Sequence, residues 1–276
     1  MTHEQQDIIS ELGVAVTFDV SREIERRLEF LAGYLRSSGA KALVLGISGG
    51  VDSLTAGLLA QRAVRALRPT GYDAHFIAVR LPYGVQADEN DAQKCLSLID
   101  PDRTVTIDVK PASDAMLDAI NAEAIDVVSG PRHHFHLGNI KARQRMIAQY
   151  ALAGASGGLV VGTDHAAEAL MGFYTKFGDG AADILPLAGL NKRQVRCLAR
   201  KLGAPDDLVF KTPTADLETD APLKPDEDVY GVTYDQIDDF LEGKEIEPSA
   251  LQKITAAYRA STHKRALPVV PVLRVE

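Results

Sequence analysis

Apolar residues recur at helical spacing at Ile24, Leu28, Leu31 and Leu35, which predicts an amphipathic helix over residues 21–37 that stops before Gly39. The run Ala42-Leu-Val-Leu-Gly-Ile47 is continuously apolar and rich in β-formers, as in a strand buried on both faces. A short loop at 48–52 leads into a second predicted helix, 53–67, ended by Pro69. A strand at 74–81, a helix at 86–99 and a strand at 103–109 follow. Residues 112–128 and 138–155 read as helices, 158–162 as a short buried strand, and 191–202 as a helix capped by Asn191 and stopped by Gly203. Strands alternating with helices in this rhythm imply right-handed βαβ units. The expected class is therefore α/β, a Rossmann-like parallel sheet with helices on both faces.

Residues 211–231 break the pattern, with three prolines, many acids and little apolar periodicity. They read as a long, lid-like loop. Helices are expected again at 233–242 and 248–262, before an extended PVVPVL tail. No internal repeat separates the parts, so one domain is expected across 1–276, with helical additions at both termini. Its N-terminal helices would span 1–38, its α/β core 40–210, and its C-terminal helices and tail 232–276.

Composition narrows the function. At 276 residues, with 46% hydrophobic and 25% charged, the chain can bury a core without staples. A net charge of -8 excludes a broad nucleic-acid surface but not a local site for a small phosphorylated ligand. The two cysteines, Cys95 and Cys197, form no framework and fit a reducing compartment. The first ten residues lack a signal-peptide pattern, and no apolar run approaches the roughly 18 residues of a membrane span. A soluble, cytoplasmic protein is expected.

The chemistry concentrates in Ser48-Gly49-Gly50-Val51-Asp52-Ser53, between a buried strand and a helix. Two glycines let the backbone approach an oxyanion closely, and amides at a helix start attract phosphate. Ser48 and Ser53 add hydroxyl donors, and Asp52 suits the Mg²⁺ that accompanies a nucleotide. A plain strand-to-helix turn needs none of the flanking serines or the aspartate. A Walker A loop needs Gly-Lys-Ser/Thr and a dinucleotide fingerprint needs GxGxxG, and neither is present. An ATP phosphate loop remains.

The SGGxDS loop resembles that of the N-type ATP pyrophosphatases. Further blocks resemble one branch, the ammonia-dependent NAD synthetases: Gly138-Asn-Ile-Lys-Ala-Arg-Gln-Arg-Met146, Gly162-Thr-Asp-His-Ala-Ala-Glu168, Lys176-Phe-Gly-Asp-Gly-Ala-Ala-Asp-Ile-Leu-Pro-Leu187 with Leu190-Asn-Lys-Arg-Gln-Val195, Lys211-Thr-Pro-Thr-Ala-Asp-Leu217 and Thr262-His-Lys-Arg265. The blocks keep the family's order over residues 46–265. Val51 stands where many members have Gln, and His133-His-Phe-His136, expected on a loop, departs from the family's stretch. That run reads as a solvated or ligand-facing surface rather than a zinc site, since no Cys or carboxylate lies nearby in sequence.

The resemblance implies an adenine nucleotide alpha hydrolase-like fold and a ligase that adenylates the nicotinate carboxylate of deamido-NAD, then lets ammonia displace AMP. It places Gly46, Ile47, Ser48, Gly49, Gly50, Val51, Asp52, Ser53, Thr163, Lys192 and Thr214 on ATP, and Asp52 and Glu168 on Mg²⁺. It places Arg143, Lys176, Asp183, His263 and Lys264 on deamido-NAD, and Asp179 is the candidate to deprotonate ammonium beside Asp52 and Lys192. Neither cysteine sits in the context of a glutamine amidase, so free ammonia or a separate protein would supply nitrogen. A homodimer is also implied, with helix 21–37 a candidate contact. The rival readings are another amide-forming ATP pyrophosphatase of the GMP synthetase type, which leaves the KxGDGxAD and HKR blocks unexplained, and a non-catalytic nucleotide-binding protein, against which Asp52 and Glu168 speak.

Overall fold

Strand β1 (Ala42–Gly46) is the apolar run of the sequence, and its first four residues are all buried. It pairs in parallel with β2 (His75–Arg80) on one side and β4 (Gly158–Val160) on the other, with Val44 opposite Ile77 and Val160. Strand β3 (Arg103–Thr106) joins β2, which gives a parallel sheet in the order β3-β2-β1-β4. This computed structural model describes residues 2–85, 88–123, 130, 132–213, 225–266 and 268–271.

The pleat explains why β1 has no polar position. Leu43 and Leu45 pack into the main core with α2 (Val20–Ser37), α3 (Val51–Leu67), α4 (Glu89–Ile99) and α8 (Lys192–Lys201). Ala42 and Val44 enter a second cluster on the other face, with Ala153 of α6 (His133–Ala155). α5 (Lys110–Glu123) leans on α6 through Leu117 and Leu137. Helices thus cover both faces of the sheet, as expected for a parallel one.

A third cluster lies off the sheet. It joins α1 (His3–Glu11) to α7 (Ala166–Met171), α11 (Tyr234–Leu241) and α12 (Pro248–Ala260) through Ile8, Leu170, Ile237, Phe240 and Ile254. Gln5 Nε2 donates to Phe240 O at 2.9 Å and Lys244 O at 3.0 Å, so the two terminal helical additions hold each other. Short helices α9 (Asp206–Val209), α10 (Asp226–Tyr230) and α13 (Thr262–Arg265) complete the described chain. Among the described residues no helix is long and apolar enough to cross a membrane.

Several expected elements shift. The His133-His-Phe-His136 run is not on a loop: it forms the first turn of α6, which starts five residues earlier than its apolar spacing suggests. The segment 211–231 is not loop throughout, because residues 226–230 form α10 under a proline N-cap; residues 214–224, and with them Thr214, lie outside the described residues. Helix α2 spends its apolar stripe, Leu31 and Leu35, inside the main core. Its buried Arg27 donates to Pro186 O and, at 3.1 Å, to Ala188 O, and thereby fixes the segment that leads into α8.

Candidate active site

The strand-to-helix turn at 48–53 is built from its own hydroxyls. Ser48 N donates to Ser53 Oγ at 3.2 Å, Gly50 N to Ser48 Oγ at 3.3 Å, and Ser53 Oγ to Gly50 O at 3.1 Å. Gly49 has φ +91°, and a Cβ there would stand 3.0 Å from Ala92 N, so only glycine suits this turn against α4. The N-cap of α3, Gly50, offers no side-chain bond to the first-turn amides. Amides without a side-chain cap at the positive end of a 17-residue helix suit an anion.

The turn opens into a cleft of about 310 Å³ at the carboxyl ends of β1 and β2. This is where parallel sheets bind ligands. Gly46, Ile47, Ser48, Gly50, Val51, Asp52 and Ser53 line it, together with Thr163, Glu168, Asp179 and Lys192. Gly49 packs outward against α4. Val51 is buried, and Gly46 N is fixed by Gln149 Oε1 at 2.8 Å.

Charge gathers beneath the turn. Lys192, 1% exposed at the start of α8, places its Nζ 2.7 Å from Asp52 Oδ2 and 3.4 Å from His165 Nε2. His165 Nε2 lies 3.5 Å from both Asp52 Oδ1 and Glu168 Oε1. The α8 start is held by the Asn191–Gln194 capping box and by Asp238, whose two oxygens accept from Lys192 N at 3.0 Å and Arg193 N at 2.7 Å. Burial opposes the charge on Asp52, but Lys192 and His165 outweigh it and hold this carboxyl well below its usual range. Burial raises Glu168 to about 8, helped by Asp52, and raises Asp164 to about 8, helped by Asp179 and Asp52. Burial lowers Lys192 but Asp52 and Glu168 raise it further, so the lysine stays cationic. One site therefore holds an ionised carboxylate on a buried ammonium beside carboxyls that resist ionisation.

Asp52, His165 and Glu168 each offer a ligand atom within 4.8 Å of the others, and Asp52 Oδ1 has no hydrogen-bond partner. An ionised carboxylate with a spare oxygen, beside a carboxyl that a bound cation would ionise, suits a hard divalent cation. Phe173, Tyr230 and Tyr234 stack edge to face alongside, with Tyr234 5.0 Å beneath the Lys192 ammonium.

The remaining sequence candidates split. Asp179 lies in the Gly178–Gly180 turn, accepts from Thr175 N at 2.9 Å and stays open to the cleft, with surrounding protein raising its pKa. The preceding Phe177 has φ +60°, an uncommon conformation for an aromatic residue. Arg143, Lys176 and Lys264 form a second group around main-chain carbonyls. Arg143 Nη2 donates to Lys176 O at 3.2 Å, Lys176 Nζ to His263 O, and Lys264 Nζ to Gly172 O and Tyr174 O, both at 2.8 Å. His263 itself is exposed. Asp183 joins neither group: its Oδ2 accepts from Val160 N at 2.7 Å and locks the 183–184 segment to β4. His165 and Asp164 were given no role from sequence. His165 stands three residues before Glu168 in sequence, and its contact with Lys192 spans 27 residues.

The family model for NAD synthase matches residues 23–268. The chain belongs to the NAD synthase family. Within it, the chain is similar to an NH(3)-dependent NAD(+) synthetase of Streptomyces coelicolor, 63% identical over 97% of each chain. It is also similar to the crystal structure of NAD+ synthetase from Burkholderia pseudomallei, at 58% identity and a TM-score of 0.83 over 96% of this chain and 97% of that one. An NMN synthetase from Francisella tularensis shares 35% identity and a TM-score of 0.80 over 92% and 99%.

Proposed function

We propose that the chain is an ammonia-dependent NAD synthetase, which joins ammonia to deamido-NAD at the expense of ATP and releases AMP and pyrophosphate. The observation that carries this reading is that the uncapped start of α3, which bears Asp52, lines one cleft with Glu168, Lys192 and Asp179. Family membership supports the reaction, and the geometry supports a division of labour among the residues.

Adenylation brings a carboxylate to an already anionic α-phosphate, so the site must offset charge. The first-turn amides of α3, Ser48, Ser53 and Lys192 do so on the chain's side. Thr163 and Thr214 complete the ATP contacts in this reading. Asp52 and Glu168 would hold Mg²⁺, which would neutralise part of the polyphosphate charge; the spare Asp52 oxygen and the neighbouring Glu168 carboxyl suit it. Arg143, Lys176, His263 and Lys264 bind the second nucleotide, and Asp183 supports them by shaping the segment after β4. In the amide-forming half, Asp179 draws in ammonium and accepts its proton. A carboxyl raised by its surroundings and still open to the cleft suits that task. A homodimer is part of the proposal.

The test supplies ATP, Mg²⁺ and either deamido-NAD or nicotinate mononucleotide, with ammonium or glutamine as nitrogen source. NAD formed from deamido-NAD and ammonium, with equal pyrophosphate, is the expected result. Preference for the mononucleotide would instead move the chain towards the NMN synthetase reading. Pyrophosphate release with neither acid would remove both.

A further inference from the structure

Lys211 has no role in the site as described so far. It lines the same cleft as Ser48, Gly50 and Asp52, yet its Nζ pairs with Asp91 Oδ2 at 2.8 Å. Asp91 stands in the first turn of α4, and that turn packs directly on the phosphate loop: a Cβ on Gly49 would lie 3.0 Å from Ala92 N and 3.4 Å from Asp88 O. The parked ammonium is therefore a neighbour of the turn that cradles phosphate.

The parking contact is one a polyphosphate can displace. Both side chains are partly exposed, 23% and 30%, and such pairs hold weakly. Asp91 also keeps a second cation, since Lys94 Nζ lies 3.6 Å from its Oδ1. Departure of Lys211 thus leaves no carboxylate stranded, in contrast to Lys192, whose loss would strip Asp52 of its close ammonium. A lysine ammonium on a flexible four-carbon stem readily changes partners, and a polyphosphate offers several charges where Asp91 offers one shared charge.

We propose that Lys211 is a polyphosphate-binding residue of this enzyme, parked on Asp91 in the ligand-free protein and transferred to the phosphates of ATP and to the pyrophosphate product. The identity of the anion rests on the function proposed above. The rearrangement would add a second ammonium, beside Lys192, to stabilise the leaving pyrophosphate. It also gives residues 211–213 a ligand-dependent anchor.

Two substitutions separate this role from simple fastening of the segment. If the pair only fastens, Lys211→Gln and Asp91→Asn break the same bond and act alike. If Lys211 binds phosphate, they act in opposite directions. Titration of the full-length protein with Mg²⁺-pyrophosphate, and with a non-hydrolysable ATP analogue, reads binding without turnover. Lys211→Gln is expected to weaken both by about tenfold or more, the loss of one charge-assisted contact, with Lys211→Arg restoring most of it. Asp91→Asn is expected to tighten pyrophosphate binding about twofold to threefold by freeing the ammonium. In turnover, Lys211→Gln should raise the KM for ATP and the inhibition constant for pyrophosphate while the KM for deamido-NAD stays put. Parallel effects of the two variants, or unchanged pyrophosphate affinity in Lys211→Gln, would overturn the proposal. Should Lys211→Gln fail to fold, the direction of the Asp91→Asn effect decides alone. Wild-type protein that binds pyrophosphate but makes no NAD would refute the proposed function and leave this test intact.

Discussion

Two groups of cations are assigned to the proposed substrates, and they are held in different ways. Around Asp52, the Lys192 ammonium is buried against a carboxylate, and its helix start is capped by a second buried acid, Asp238. Around Lys264, the charged ends of Arg143, Lys176 and Lys264 rest on main-chain carbonyls near the surface. A buried charge pair is rigid because either partner alone would be left desolvated. A cation on a carbonyl gives up little when a ligand phosphate replaces it. The Asp52–Lys192 pair is thus preformed, while the carbonyl-held cations, like Lys211 on its partly exposed carboxylate, are ready to exchange partners.

Four substitutions test that contrast, from the largest effect downwards. Lys192→Met strips Asp52 of its close ammonium and should lower stability by about 3–5 kcal/mol, besides abolishing NAD formation. Urea unfolding that matches wild type would show that the pair is not structural. Asp238 links the same end to pH. Burial raises it to about 6 from an ordinary 3.8, against the pull of the Arg193 and Lys192 amides. Between those values the folded protein holds a proton that the unfolded chain has lost. Its contribution is therefore greatest at the acidic edge of the window and falls away as pH rises through 6. Over that window wild type should lose about 3 kcal/mol relative to Asp238→Asn. Parallel pH profiles would remove Asp238 as the cause.

Asp179→Asn addresses the chemistry rather than the frame. Amide formation should drop about a hundredfold while ATP–pyrophosphate exchange with deamido-NAD continues. Loss of exchange as well would place Asp179 in the first half-reaction. At the exchangeable end, Lys264→Met should raise the KM for deamido-NAD about tenfold with a melting temperature close to wild type. A large fall in that temperature would erase the distinction between the two ends.

The contrast also explains what the sequence revealed. Local signals were legible: the apolar strand β1, the serines and glycines of the turn, and the Asn191 cap all depend on neighbours a few residues away. The Asp52–His165–Lys192 group was not fully legible, because His165 joins it only where α8 brings Lys192 within 3.4 Å. The extra turn of α6 was hidden by histidines, which carry little helical signal. Helix α10 was hidden among acids and prolines whose only cue is Pro225 ahead of Asp226, and that cue is as common in turns as at helix starts. Asp183 was legible as a motif residue, but its bond to Val160 N depends on the return of the chain beneath β4.

The tie between Gln5 and Phe240 bears on how the molecule is made. Helix α1 precedes its partners α11 and α12 by more than 200 residues along the chain. The α/β core can collapse around β1 while α1 waits, because that core draws on closer segments. Closing so distant a contact is entropically slow. The cluster behind α7, the helix that carries Glu168, should therefore form last, so a folding intermediate would own its phosphate turn before its full set of acids is secured.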